Sequence, residues 1–97
     1  MINQLILVGR LVSFSTIENN SVKITLAIPR TTKNEEGIYE TDFISINVNG
    51  SISETIVDYC KKGDLLGIKG MLYEDNGLKI KCNKVSFLAS KGKDNDE

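Results

Sequence analysis

At 97 residues, 40% hydrophobic and with a formal charge of −1, the chain suits one small domain with a modest core, and no apolar run is long enough to span a bilayer. It has no histidine, so the usual general acid–base group and the commonest metal ligand are missing. No catalytic activity, cofactor or metal centre is expected, and binding is the function class that remains.

The opening "MINQLILVGR" has no basic leader, its apolar stretch is broken by Arg10, and no small-residue cleavage site follows. It is not a signal peptide, and a cytoplasmic protein is expected. Cys60 and Cys82 stand in neither a CxxC nor a metal-ligand spacing. Both fall on apolar periodicities and read as small buried hydrophobes with free thiols, a disulfide between them being the minor alternative.

The last seven residues hold two lysines and three acids, leaving residues 1–90 with ten bases and ten acids. Within that body most acids fall where turns or a helix are expected, whereas Arg10, Lys23, Lys69, Lys79 and Lys81 fall inside strands. A neutral domain can still present a basic face.

"INQLILVGRL" reads as a long first strand and "SFSTIENNS" as a loop. "VKITLAIP" alternates cleanly, with Val22, Ile24, Leu26 and Ile28 on one face. Pro29 is expected to close this strand, since it has no N–H for a ladder. After the polar connection "RTTKNEEGIYET", the third strand "DFISINVN" turns Ile44, Ile46 and Val48 one way. Phe43, Ser45, Asn47 and Asn49 point the other way.

Helical spacing then takes over: "SISETIVDYCKKG" places Ile52, Ile56, Val57 and Cys60 on one stripe. Ser51 and Glu54 have the spacing of a capping box, Lys61 and Lys62 suit the C-terminal end of the dipole, and Gly63 suits the left-handed stop. Tyr59 reads as structural. "DLLGIKGMLY" is a fourth strand with Leu66, Ile68, Gly70 and Leu72 inward and Lys69, Met71 and Tyr73 outward. Asn76-Gly77 marks a hairpin. The fifth strand, "LKIKCNKVSFL", turns Leu78, Ile80 and Cys82 inward and Lys79 and Lys81 outward, and its change of phase predicts a bulge near Asn83. Residues 1–89 form the domain and 90–97 a polar mobile tail. Five strands with one short helix between the third and fourth predict an all-β OB-fold, a five-stranded Greek-key barrel that binds oligonucleotides on one face.

"NQLILVGRL", "TLAIPRT", "ETDFISINVNG", "IVDYCKKGDLLGIKGML" and "VSFL", in that order from Met1 to about Ala89, resemble the bacterial single-stranded DNA-binding protein (SSB) family. The resemblance implies sequence-independent binding of single-stranded DNA in replication, recombination or repair, and assembly into a homo-oligomer, dimer or tetramer. Phe43 matches a position where the family carries a ring that stacks on bases, and Arg10 and Arg30 match basic positions suited to backbone phosphate. Ser45 and Asn47 are candidates for hydrogen bonds to phosphate or base edges. Phe43 has a competing assignment, packing under a loop or at a subunit contact; stacking is preferred because aromatic platforms dominate single-strand binding.

The chain also departs from the family. It has no tryptophan, Thr32 and Asn49 stand where rings are common, and the fourth-to-fifth-strand hairpin is short. Its tail lacks the terminal Pro-Phe, so recruitment of replication proteins by that route is not expected. Tyr73 and Tyr39 are candidate replacement rings, Tyr73 the better because it shares the outward row with Lys69. Two other assignments remain open: a primosome-type OB protein that also grips protein partners, and an interaction module whose DNA face has decayed.

Overall fold

The structure, a computed structural model, describes residues 1–15 and 18–90. Part of the expected loop after the first strand, Thr16 and Ile17, and the tail from Lys91 onward lie outside the described residues. The elements are β1 (Leu5–Phe14), β2 (Ser21–Lys33), β3 (Tyr39–Asn49), α1 (Ser51–Tyr59), β4 (Leu65–Glu74) and β5 (Leu78–Ala89). The strands close a barrel in the order β1-β2-β3-β5-β4, with β4 returning to β1. The β3–β5 pairing is parallel and the others are antiparallel. This is the expected OB-fold.

The alternating aliphatics fill the barrel. Val22, Ile24 and Leu26 meet Ile46, Val48, Leu66 and Ile68, and Ile56 of α1 enters the same core. Cys60 and Cys82 are buried free thiols. Burial pushes both thiols above their ordinary range, assisted at Cys60 by the Asp64 charge, so both are poor nucleophiles at neutral pH. The bulge falls where the phase change placed it. Pairing steps from Lys69–Lys84 to Gly70–Cys82 and leaves Asn83 out. At Gly70 any side chain would collide with the Lys81 carbonyl, so β4 and β5 approach there as only glycine allows.

Leu72 and Leu78, expected inward, are exposed beside the β4–β5 turn, and four further local expectations are corrected. Pro29 does not end β2, which runs to Lys33 with Pro29 paired to Thr41. Pairing with β1 stops at Ala27, so β2 is bonded to β3 alone from there on, and an edge tolerates a residue without an N–H.

The capping box does not form. The N-cap is Gly50, at φ 74°, and no side chain caps the helix. β3 stays in register to Asn49, which pairs with Ser21. The chain must therefore reverse at residue 50, in a left-handed conformation that favours glycine. Ser51 thus becomes the first helical residue, and the hydroxyl of Ser53 donates to the Gly50 carbonyl at 2.6 Å.

The helix also ends early, at Tyr59, leaving Lys61 and Lys62 beyond its last turn. The Asp64 carboxylate accepts the Lys61 N–H at 2.8 Å and holds the chain in a separate turn, where Gly63 has φ 96°. Tyr59 is exposed rather than structural, because the buried stripe passes through Ile56 and Cys60 and leaves it outside.

Candidate nucleic-acid interface

Strand alternation puts Phe43, Ser45, Asn47 and Asn49 in one row on the outside of β3. On β2 their cross-strand neighbours are Ala27, Thr25, Lys23 and Ser21. On the other side Asn47 pairs with Lys81 of β5, Lys81 with Met71 of β4, and Lys79 with Tyr73. The outer faces of β2, β3, β5 and β4 therefore form one continuous surface. It carries an aromatic ring near one end and three lysines, Lys23, Lys79 and Lys81, around its middle.

Phe43 is 66% exposed. Its neighbour across the ladder is the small Ala27, so nothing tall on β2 covers it, and the assignment under a loop is not what the described residues show. Along the strand Asn47 lies about 13 Å from Phe43, at about 3.3 Å of rise per residue. A single strand laid along β3 would meet the ring first and the lysine cluster next.

Asn47 is not an isolated polar group. Its amide nitrogen donates to the Tyr73 hydroxyl at 2.6 Å, across the width of β5. Tyr73 is half-buried, whereas Tyr39 is exposed and has Lys33 Nζ 5.6 Å from its ring centroid. Because a cation already occupies one face of Tyr39, Tyr73 remains the better replacement ring.

The basic residues divide. Lys79 and Lys81 join the Asn47 surface, and so does Lys23, a strand lysine outside the expected set of site residues. Its outward phase was legible, but its position beside Asn47 depends on register between strands. Arg10 pairs with Ala27, two strands from Phe43, and its guanidinium donates to the Gly63 carbonyl at 3.1 Å. Lys69 sits between Ile6 and Lys84, nearer β1 than the lysine cluster.

Arg30 is held by two acids. Nε and Nη2 donate to the two Asp42 carboxylate oxygens at 3.0 and 2.9 Å, and Nη1 donates to Glu40 at 3.0 Å. This hydrogen bonding holds the Asp42 carboxyl below the usual carboxylate range, so near neutral pH Asp42 stays ionised and Arg30 stays engaged. Being exposed, the pairs contribute little to stability. Their consequence is electrostatic, because one cation facing two anions leaves this part of the β2–β3 arm negative.

The chain matches the Single-strand binding protein family over residues 2–84. A single-stranded DNA-binding protein 1 from Streptococcus pyogenes is 33% identical over 105 residues, covering 94% of this chain and 80% of that one. Among solved structures, a small single-stranded DNA binding protein from Mycoplasma pneumoniae superposes with a TM-score of 0.71 at 22% identity, covering 89% of this chain and 86% of that one. The protein priB from Ralstonia solanacearum gives 0.72 at 19% identity, covering 91% and 100%. The two folds fit equally well, so the sequence match and not the fold distinguishes the assignments.

Proposed function

The chain belongs to the single-strand binding protein family, and from that premise we propose that it coats single-stranded DNA, without regard to sequence, in replication, recombination or repair in the cytoplasm. The observation that carries this is the exposed Phe43 ring in line with a cluster of three lysines on one barrel face. Unpaired bases expose flat π-faces that a ring can stack on whatever the base, and duplex DNA hides them. Lys23, Lys79 and Lys81 supply the phosphate contacts, while Ser45 supplies a small polar floor between ring and cluster. Arg10 extends the basic surface on the Phe43 side and Lys69 on the β4 side. The acids paired with Arg30 keep the strand toward the lysine end. Binding is stoichiometric, and no bond is made or broken.

The test is competition. Labelled oligo-dT bound to the protein should be displaced by unlabelled single strands of mixed sequence about as well as by oligo-dT, and poorly by duplex of the same length. Equal displacement by duplex would show charge binding alone and would remove the stacking rings from the account.

The working form is a homo-oligomer. The outer row of β1 presents Ile6, 69% exposed, and Val8. Gly67 and Ser86 lie in line with Val8 across β4 and β5, and Leu88 leans over Gly67. An apolar row on the outside of a small barrel favours pairing with a second copy. Light scattering at micromolar concentration should give at least a dimer mass, and replacing Ile6 and Val8 together with lysine should give a monomer. A parent that is already monomeric refutes this. Among the described residues, no helix is long and apolar enough to cross a membrane.

A further inference from the structure

Asn47 and Tyr73 are 26 residues apart and sit on strands that are not neighbours, since β5 runs between β3 and β4. Two strand spacings amount to about 10 Å. Side chains on a sheet ordinarily stand upright from it, and an upright phenol on β4 would not meet an amide on β3. The 2.6 Å bond therefore requires the side chain to lean across β5 instead of standing upright. Tyr73 is half-buried despite its outward phase, in agreement with such a pose.

The held ring also shapes a hollow. Tyr73, Asn47, Asn49 and Lys23, with Glu18 and Asn19, line an open concavity of about 410 Å³. Its volume falls within the roughly 300–1,000 Å³ of small-ligand sites. It offers a ring, three amides and an ammonium, groups suited to a base and its phosphate, and the Glu18 carboxylate directs the phosphate toward Lys23. A tyrosine hydroxyl that accepts a hydrogen bond keeps its own proton to donate. Tyr73 can thus be held by Asn47 and still donate to a phosphate oxygen.

We propose that Asn47 acts on the bound strand through Tyr73: its amide fastens the phenol across β5, making Tyr73 a second stacking platform and one wall of a subsite for a single nucleotide. Asn47 is a positioning residue, and the ring is the group that touches DNA. This rests on the single-strand binding proposed above.

A double-mutant cycle tests it. Tyr73→Phe keeps the ring and loses the hydroxyl, and Asn47→Ala loses the amide. Each should weaken oligo-dT binding by roughly threefold to tenfold, the span of one ordinary hydrogen bond. The double variant should be no weaker than the weaker single variant, and Tyr73→Ala should lose more than Tyr73→Phe. A second readout follows from the absence of tryptophan and the presence of three tyrosines. In a Tyr39→Phe, Tyr59→Phe background Tyr73 is the sole tyrosine emitter. Its quenching at saturating oligo-dT should be large, and smaller when Asn47→Ala is added. Melting curves identify variants that fold; if Asn47→Ala does not, Tyr73→Phe decides alone. Additive losses, parent-like binding by Tyr73→Phe, or quenching that Asn47→Ala leaves unchanged would overturn the positioning role. A parent that fails to bind oligo-dT overturns the binding proposal itself, and a parent that binds while the cycle is additive overturns this one only.

Discussion

Replacing Phe43 with alanine is expected to weaken oligo-dT binding five- to a hundredfold and to leave the melting temperature near the parent's. A stacked ring contributes about 1–3 kcal/mol per base by alanine substitution, and about 1.4 kcal/mol is a factor of ten. Truncation should hardly disturb the fold, because the ring is 66% exposed and Ile46 and Val48 hold the core side of the same strand. A ring buried in the core would instead lose about 3–5 kcal/mol of stability on truncation. Melting temperature and affinity measured on one variant therefore separate the two roles. A variant that melts much earlier, or binds unchanged, returns Phe43 to structure.

Ile46→Ala should do the reverse. Ile46 is 0% exposed and lies three residues along the same strand, facing the barrel interior among Ile24, Leu26, Leu66 and Ile68. Removing its branched side chain leaves a cavity that close-packed neighbours fill only in part, a loss of about 2–5 kcal/mol. For a domain of this size about 4–8 °C of melting temperature goes with each kcal/mol. The midpoint should therefore fall by at least about 8 °C, while at temperatures where the variant is folded its oligo-dT affinity stays close to the parent's. Parent-like melting with weakened binding would mean that the two faces of β3 are exchanged. Since a slip of one residue moves every side chain of a strand to the other face, the pair of variants also tests the register on which the interface depends.

What could be read from the sequence was whatever has a short period. The alternation around Ile44, Ile46 and Val48 placed Phe43 outside, the helical spacing after Gly50 placed α1, and the phase change near Asn83 placed the bulge. The less legible features depend on how segments meet. The Asn47–Tyr73 bond needs the order β3-β5-β4 and its register, and neither residue's local sequence points to the other. The same holds for Arg30. Its residue type suits phosphate, but the hairpin brings Asp42 and Glu40 to its guanidinium. At Ser51 the motif was present, yet the single residue left for reversing the chain after β3 gave the cap position to Gly50.

The central claim is that this barrel face holds single strands by stacking supplemented with phosphate contacts, and a titration of oligo-dT at low and at moderate salt tests it most directly. Each neutralised phosphate on a single strand contributes about −0.7 to the slope of log K against log salt. Contacts from Lys23, Lys79 and Lys81 therefore predict a slope of about −2, with substantial affinity left when the line is extrapolated to high salt, where the stacked rings remain. No binding at low salt would contradict the account, as would binding that salt abolishes without a residue.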